Sequence, residues 1–356
     1  MTAAPQRTLL VHSQRRLQPE AVLRAVAAWL PPGEGLHDVL DRLERRVAAL
    51  LGKPAALFFP TGTMAQQVAV RLHAEARGRR AVAFHPYCHL DEHESQGYQV
   101  VHGLHGVRVG DRERLVTTDD LTEVAEPLAA LLLELPQRSI GGRLPEWADL
   151  LAQTAWAHEH GAATHADGAR FLLSQPYYDR PHAEVAAPFD SVYLSVSKAF
   201  GAGSDAFLAG EADFIARARV WRHRLGGATE VAWPALLPVE WRLDTVLPRV
   251  PEFLAKAREL AARLREVPGV EVHADPPQTP LFHLLLAARP ESVREVAARL
   301  SAESGVQLPR YVGALPGART SGVELTVLDQ FDDIPVEEAV GLFARLVEEA
   351  RRLDEA

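Results

Sequence analysis

Short apolar segments alternate with longer amphipathic segments through the first two thirds of this chain. Residues 128–135 are almost wholly apolar, as expected of a strand buried on both faces of a sheet, whereas residues 64–76 and 144–160 have helical spacing. Because strands that alternate with helices pair mainly in parallel, the pattern predicts an α/β fold whose mostly parallel sheet has helices on both faces. The other predicted strands are residues 55–59, 81–84, 162–165 and 191–195.

The two ends of the chain have a different organisation. Residues 20–51 carry a helical period that ends at Gly52, a residue type common just after a helix. After residue 245 a smaller α+β unit begins with an amphipathic helix at 246–267. We therefore predict an N-terminal arm (1–20), a large domain (21–245) and a small C-terminal α+β domain (246–356). In the arm, the apolar stripe at residues 9–11 fits either an edge strand or a contact with a neighbouring subunit.

Charge and cysteine content narrow the possible functions. The 356 residues include 38 Lys and Arg against 47 Asp and Glu, a formal charge of −9, whereas binding of duplex nucleic acid needs clustered positive charge. A single cysteine, Cys88, excludes an internal disulfide and favours a reducing cytoplasm. No stretch approaches about eighteen uninterrupted apolar residues. We expect a cytoplasmic enzyme that binds neither nucleic acid nor membrane.

The polar turn after residues 55–59 is a candidate phosphate site. Thr61, Gly62 and Thr63 open the next predicted helix, where backbone N–H groups and hydroxyls can hold a phosphate. A plain helix cap by Thr61 or Thr63 explains the same residues, and the turn taken alone favours that explanation.

Three more polar residues follow predicted strands, at the sheet edge where open α/β sheets bind their ligands. Asp167 could pair with a cationic heterocycle nitrogen, and Arg170 could bind a carboxylate through two hydrogen bonds, but an ion pair between the two is equally plausible. Lys198 follows an apolar strand, where a lysine held in a pocket can form a Schiff base. A solvated side chain is the ordinary alternative for any lysine.

The combination of these groups is more specific than any one of them. A phosphate-binding turn, a carboxylate for a pyridine nitrogen and a lysine for a Schiff base are together what pyridoxal 5′-phosphate requires. The sequence therefore predicts this cofactor, with its Schiff base on Lys198 and its pyridine nitrogen kept protonated by Asp167.

Four segments resemble the fold-type I pyridoxal-phosphate enzymes of the threonine aldolase and β-eliminating lyase family. They are Ala-Leu-Phe-Phe-Pro-Thr-Gly-Thr-Met-Ala at 56–65, His-Ala-Asp-Gly-Ala-Arg at 165–170, Leu-Ser-Val-Ser-Lys-Ala-Phe-Gly at 194–201 and Trp-Arg-His-Arg-Leu-Gly-Gly at 221–227. Their order and spacing match the family, and the resemblance continues more weakly through the C-terminal unit. The chain is thus similar to a divergent member, which implies a transferase-like fold with a seven-stranded sheet.

This resemblance implies a role for each candidate residue. Lys198 is implied as the Schiff-base lysine, Asp167 as the partner of the pyridine nitrogen and Arg170 as a ligand of the substrate carboxylate that also borders the cofactor. His89 is implied to stack on the cofactor ring, with Glu94 as an acidic residue of the same helix. Since family members generally form homodimers or homotetramers with active sites at the subunit boundary, the same assembly is expected here. The implied cofactor site also includes Thr61, Gly62, Thr63 and Ser195.

Three positions depart from the family's pattern. Gln137 stands where an active-site histidine is usual, and we expect it to contact the substrate instead. Glu230 and Glu324 stand where arginines are usual, the second of which helps to bind the substrate carboxylate. Arg170 is then the only carried-over ligand of the substrate carboxylate, so we expect weak binding of threonine or a different preferred substrate. Unless it is paired, Glu324 would repel that carboxylate, and it could instead favour a substrate with an additional cationic group. Candidate replacements for the missing arginines are Arg138, Arg310 and Arg319.

The resemblance implies a carbon–carbon lyase that cleaves a β-hydroxy-α-amino acid into glycine and an aldehyde. Removal of the hydroxyl proton needs a base, and His89 is the candidate because imidazole titrates near neutral pH, although a ring-stacking role alone is equally compatible. The same cofactor residues would also serve β-elimination of another amino acid. A non-catalytic protein of the same fold is a third interpretation.

A histidine-rich segment offers one further alternative. His85, Cys88, His89 and His93 lie within nine residues, and imidazoles four residues apart on a helix share a face, as in a zinc hydrolase. The segment does not have the His-Glu-x-x-His spacing and has no second cluster with structural-site spacing, so no metal site is predicted.

Overall fold

The chain divides into two compact units in the computed structural model, which describes residues 7–9, 19–30, 38–201, 203–229, 232–309, 313–314 and 320–355. The large unit comprises Ala21–Ser139 and Leu144–Asp244. The small unit comprises Met1–Glu20, Ile140–Arg143 and Thr245–Ala356, so it includes a short segment from the middle of the predicted large domain. The division into an arm and two domains stays a prediction.

Helices and strands alternate through the large unit, as the sequence pattern predicts. The strands of the described residues are β1 (Arg7–Thr8), β2 (Ala55–Phe59), β3 (Ala81–Phe84), β4 (His105–Arg108), β5 (Leu128–Glu134), β6 (Ala163–Gly168), β7 (Ser191–Leu194), β8 (Ala206–Gly210), β9 (Val270–His273), β10 (Leu281–Leu286), β11 (Val306–Gln307), β12 (Gly313–Ala314) and β13 (Ser321–Thr326). The α-helices of the same residues are α1 (Pro19–Trp29), α2 (Asp38–Leu50), α3 (Gly62–Arg77), α4 (His89–Glu92), α5 (Gly97–Val100), α6 (Thr118–Thr122), α7 (Trp147–Glu159), α8 (Gln175–Tyr178), α9 (His182–Ala186), α10 (Val196–Phe200), α11 (Ala212–Arg224), α12 (Trp233–Thr245), α13 (Val250–Leu264), α14 (Pro290–Ser304) and α15 (Val336–Glu355). Among the described residues, every helix is either too short or too polar to cross a lipid bilayer.

The large unit is built on a sheet that has seven strands among the described residues, in the order β2-β8-β7-β6-β5-β3-β4. Strand β8 is antiparallel to both of its neighbours, and the other pairings are parallel. Every residue of β6, β7 and β8 is buried. Because alternate residues of a strand point to opposite faces, this burial means that both faces of the sheet are covered. The predicted mostly parallel, seven-stranded α/β fold is confirmed.

The parallel arrangement brings the candidate residues to one edge of the sheet. Strands β2, β3, β5, β6 and β7 point the same way, so their carboxyl ends meet there. The turn at Thr61 follows β2, and His89 follows β3. Gln137, Arg170 and Lys198 follow β5, β6 and β7 in turn.

The small unit has its own antiparallel sheet, in the order β12-β13-β10-β9. Helices α13, α14 and α15 contribute to its hydrophobic core. Near the start of the chain, β1 pairs in parallel with β11, and Leu9 is fully buried in this same core. Leu9 therefore packs within its own chain, while Leu10 and Val11 lie outside the described residues.

Strand β2 lies at an edge of the large sheet, where two side chains satisfy the backbone of Phe58. The carboxylate of Glu44 accepts a hydrogen bond from Phe58 N–H at 2.9 Å, and the Arg222 guanidinium donates to the Phe58 carbonyl oxygen at 2.7 Å. Both side chains are buried. An edge strand otherwise presents unpaired backbone groups, so these contacts hold β2 in place before the turn at Thr61.

We expect Glu44→Ala to lower the free energy of unfolding by about 1–3 kcal/mol, because it leaves the buried Phe58 N–H without its acceptor. The matched control is Glu75→Ala, which removes an exposed carboxylate that pairs with Arg71 and Arg217 and should cost no more than about 1 kcal/mol. Urea denaturation followed by circular dichroism measures both. Equal losses in the two variants would contradict the role assigned to Glu44.

Candidate active site

The turn at Thr61 forms a capped helix N-terminus. Thr61 precedes α3 with extended backbone, and its hydroxyl accepts a hydrogen bond from the N–H of Met64 at 3.2 Å. Thr61 and Thr63 are exposed, and Gly62 is half-buried. The first N–H groups of an α-helix have no acceptor within the helix, so they remain directed at whatever lies before α3. The cap and a phosphate site are thus compatible at this turn.

Gly62 is fixed as glycine by Tyr193. A Cβ atom on residue 62 would lie 2.2 Å from the Tyr193 hydroxyl oxygen, which is closer than any contact allows. That hydroxyl is buried and has no hydrogen-bond partner of good geometry among the described residues. Burial raises the pKa of Tyr193 well above its ordinary value, so the phenol stays protonated and is a donor beside the turn. Tyr193 was not among the residues predicted from the sequence.

Asp167 is a buried carboxylate near the end of β6. One oxygen accepts a hydrogen bond from the backbone N–H of Ala169 at 3.1 Å, and the other accepts from the Gln66 side-chain amide at 2.5 Å. Each carboxylate oxygen can accept two hydrogen bonds, so each retains one lone pair for a further donor. Arg170 follows, half-buried, at the start of a short 3-10 helix.

A second carboxylate lies beside Asp167 on the neighbouring strand. Glu134 of β5 is paired in register with Asp167, and its oxygens accept hydrogen bonds from the Gln137 amide and the Arg138 N–H, both at 3.1 Å. Withdrawal from solvent, together with the charge of Asp167, raises the pKa of Glu134 to about 8. Near neutral pH, Glu134 is therefore mainly the neutral acid, and Asp167 carries the charge. The buried Gln137 side chain is held against Glu134.

His89 lies at the start of α4 and is oriented by Glu94. Its Nδ1 atom is 3.0 Å from one oxygen of the buried Glu94 carboxylate, whose other oxygen accepts from the Gln67 amide at 3.1 Å. Because a carboxylate only accepts, Nδ1 carries the hydrogen and Nε2 of the neutral ring has the free lone pair. Glu94 lies beyond the end of α4 rather than on the same helix as His89, so that detail of the sequence prediction is wrong.

Lys198 is the third residue of the short helix α10, and it is exposed. The hydroxyl of Ser195 accepts from the Lys198 N–H at 3.1 Å. The buried Asp205 carboxylate, which no sequence pattern indicated, accepts hydrogen bonds from the N–H groups of Val196 and Ser197, both at 2.7 Å. These contacts fix the helix that carries Lys198, whose amine lies 5.6 Å from the centre of the Tyr193 ring.

The other two lysines of the chain are bound to backbone. The sequence contains only Lys53, Lys198 and Lys256. The Lys53 amine donates to the carbonyl of Phe189, and the Lys256 amine donates to the carbonyl of Phe331. Lys198 is therefore the lysine whose amine is presented at the sheet edge with Asp167 and the turn.

Glu324 is one of the positions that depart from the family's pattern. Glu324 belongs to the small unit, where it is buried and lies opposite His283 across β13 and β10, with 3.4 Å between its carboxylate and the His283 ring nitrogen. Glu324 is thus paired. Glu230 lies outside the described residues, as do Arg310 and Arg319.

The histidine-rich segment is already engaged in other contacts. The ring nitrogens of His85 contact the Arg114 carbonyl at 2.9 Å and the Tyr87 N–H at 3.0 Å. Burial raises the pKa of the Cys88 thiol well above its ordinary value, which opposes the thiolate that a metal needs. Within the part of the chain that the structure describes, no group of three His, Cys, Asp or Glu side chains is placed to hold a metal ion.

Residues 35–286 match the model of the β-eliminating lyase family. The chain belongs to this family. The family includes threonine aldolases. The chain is 27% identical to low-specificity L-threonine aldolase 1 of Arabidopsis thaliana over 288 residues, which are 78% of this chain and 80% of the relative. The family comprises pyridoxal-phosphate-dependent lyases and aldolases. The family match and these relatives confirm the resemblance predicted from the sequence.

Solved structures show the same relationship over almost the whole chain. A protein from Exiguobacterium sp. 255-15, assigned as an aromatic amino acid β-eliminating lyase/threonine aldolase, is 31% identical with a TM-score of 0.89, and the match covers 97% of this chain and 98% of the other. A protein from Listeria monocytogenes EGD-E, assigned as an L-allo-threonine aldolase, is 32% identical with a TM-score of 0.88 and 97% coverage of both chains.

The raised pKa of Glu134 predicts how stability depends on pH. The folded state holds a proton on Glu134 up to about pH 8, whereas an unfolded chain releases it near pH 4.5. This contribution to the free energy of unfolding is therefore complete below about pH 4.5 and is lost as the pH rises towards 8. We expect Glu134→Gln, which copies the neutral acid, to remove that loss and to be more stable than the parent chain at pH 8.

Urea denaturation of the cofactor-free protein at a series of pH values measures this difference. The control is Glu159→Gln, which changes an exposed residue at the end of α7 and should leave the pH profile unaltered. A Glu134→Gln profile parallel to that of the parent would show that Glu134 is ionised in the folded protein.

Proposed function

We propose that this protein is a pyridoxal-phosphate-dependent carbon–carbon lyase that cleaves a β-hydroxy-α-amino acid into glycine and an aldehyde. The observation that carries this choice is the hydrogen bond from His89 Nδ1 to the buried Glu94, because it leaves Nε2 as a base at the edge of the sheet. Retro-aldol cleavage needs such a base for the β-hydroxyl proton. Family membership and the relatives named as threonine aldolases support the same reaction.

The residues of the large unit fit the cofactor. The Tyr193 hydroxyl is a buried donor with no hydrogen-bond partner of good geometry among the described residues, and Gly62 allows this hydroxyl to lie close against the turn. Thr61, Gly62 and Thr63 would hold the phosphate through the N-terminus of α3. Bound pyridoxal phosphate would supply the electron sink for breaking a bond at the substrate's α-carbon.

The other candidate residues would bind the cofactor or the substrate. Asp167 would accept a hydrogen bond from the protonated pyridine nitrogen through a lone pair that its present donors leave free. Lys198 would carry the cofactor as a Schiff base, on a helix capped by Ser195. Arg170 would bind the substrate carboxylate, and His89 would take the hydroxyl proton at Nε2.

Gln137 follows β5 at the position where the family usually has an active-site histidine, so the proposed substrate pocket would have an amide there in place of an imidazole. Gln137 donates its amide hydrogen to Glu134, so its oxygen remains the group with which it could accept a hydrogen bond from a substrate. An amide cannot change charge between pH 5 and 8 as imidazole does. We therefore propose that Gln137 binds the substrate without taking part in proton transfer. Because Arg170 is the one ligand of the substrate carboxylate that the family's pattern carries over to this chain, we also propose that threonine is a poor substrate.

β-Elimination is the second candidate, since the family model and the Exiguobacterium relative both carry that description. It would start from the same cofactor complex but expel a group from the β-carbon instead of breaking the bond between the α- and β-carbons. The contacts of Lys198 and Asp167 serve both reactions, so the products must distinguish them.

The cofactor prediction concerns the three lysines. Mixed with pyridoxal phosphate, the protein should develop a near-visible absorbance band, and borohydride reduction followed by peptide mapping should find the cofactor on Lys198. Lys198→Ala should lose both the band and all turnover. Lys53→Arg and Lys256→Arg keep their hydrogen-bond donors and should retain both. Attachment to Lys53 or Lys256 would refute the assignment.

The reaction prediction concerns the products. Threonine, allo-threonine, phenylserine and β-substituted alanines should be supplied in turn while glycine, aldehyde and pyruvate are measured separately. We expect glycine and aldehyde in equal amounts from at least one β-hydroxy amino acid, with a KM for threonine higher than for the preferred substrate. Pyruvate without glycine would establish β-elimination, and the absence of product from every compound would favour a non-catalytic protein.

A further inference from the structure

A chain of hydrogen bonds runs from Asp167 into the interior of the large unit. The Gln66 amide nitrogen contacts Asp167 at 2.5 Å, and the Gln66 oxygen contacts His165 Nε2 at 3.0 Å. His165 Nδ1 contacts the Ser191 hydroxyl at 2.8 Å, and the same hydroxyl contacts His73 Nε2 at 2.7 Å. All five side chains are at least 96% buried.

The donor and acceptor capacities of these side chains fix the direction of every hydrogen bond in the series. An ionised carboxylate only accepts, so Gln66 must turn its NH2 group to Asp167 and its oxygen to His165. His165 then carries its hydrogen on Nε2, and because burial lowers the pKa of His165 to about 4, its Nδ1 is a bare acceptor at neutral pH. The Ser191 hydroxyl donates to that Nδ1 and accepts from His73. Each donor therefore points towards Asp167.

The opposite arrangement is available only if residue 167 becomes a donor. A donor at that position would require the Gln66 oxygen, so the amide would turn over and present its NH2 group to His165. The hydrogen of His165 would then move to Nδ1, and the Ser191 hydroxyl would donate to His73. The chain thus has two complete settings, and the charge on residue 167 selects between them.

We propose that Gln66, His165, Ser191 and His73 are positioning residues that hold Asp167 ionised through this one-way chain of donors. Asp167 needs such help because its carboxylate is buried, and a buried charge is costly unless donors replace the lost water. The far end of the chain is closed by Phe214, whose ring stacks on His73 with 4.8 Å between centres. Asp167 is the end of this series that would meet the proposed cofactor. The positioning role therefore rests on the proposed function.

The first test is a spectroscopic measurement on the cofactor-free protein. With ¹⁵N-labelled histidine, the parent protein at pH 7 should show His165 as the neutral Nε2–H tautomer, and His165→Gln identifies the signal. Asp167→Asn should convert His165 to the Nδ1–H tautomer. In that variant the Ala169 N–H holds the asparagine oxygen, so the asparagine NH2 group faces Gln66 and reverses the chain.

The control is Asp91→Asn, which alters a buried carboxylate bonded to Tyr98 and Arg108 outside the chain, and it should leave His165 unchanged. A purely structural role for His165 would predict one tautomer in all three proteins. An Nδ1–H or cationic His165 in the parent would overturn the proposal without any variant, as would an unchanged tautomer in folded Asp167→Asn.

The second test measures cofactor binding. Gln66→Leu removes the donor to Asp167 and should weaken the binding of pyridoxal phosphate about tenfold by absorbance titration, because a charge-assisted hydrogen bond is lost. Gln153→Leu removes a buried amide that donates to the Val116 carbonyl and should change binding less than twofold. Equal weakening in both would overturn the proposed role. If the parent binds no cofactor, the proposed function fails, and the tautomer measurement still decides whether the chain exists.

Discussion

Asp167 is a charge kept inside the large unit, and much of the site is arranged around the cost of keeping it there. Removing a carboxylate from water costs several kcal/mol unless donors replace the lost solvent. The Gln66 amide and the Ala169 N–H provide those donors. The sheet sets Glu134 on the adjacent strand, where a second charge would be opposed, and Glu134 accordingly takes up a proton. One anion and one neutral acid result from two similar side chains.

The apolar segments of the sequence predicted five strands of the large sheet and its mostly parallel pairing. Residues 55–59 and 81–84 were predicted with the observed bounds, because each run ends at a polar turn. Strand β4 was missed because it lies at the sheet edge, where His105 and Arg108 are exposed and no apolar run develops. Strand β8 was missed because the alternation argument assumes a helical crossover. Only the short helix α10 separates it from β7, so the two strands pair antiparallel.

The site was predictable only in part, and the limit is physical. Lys198 and Asp167 could be named from the sequence because each follows an apolar segment along the chain, whereas His89 was named through the family resemblance. Gln66 and Tyr193 could not, because their roles depend on how α3 packs on β6 and β7. Glu324 shows the same limit: its partner His283 is 41 residues away in sequence and is found only from the register of β10 and β13. One signal was available, since a chain with three lysines leaves few candidates for a Schiff base.

That scarcity of lysine has a consequence for the chemistry of the whole surface. Positive charge is carried almost entirely by arginine, whose guanidinium stays protonated and does not act as an amine nucleophile. An aldehyde released by such a protein would meet few side-chain amines with which to condense, because Lys53 and Lys256 are bound to backbone carbonyls. The chain therefore offers few lysine amines for adducts with an aldehyde, and amine-directed labels should concentrate at Lys198.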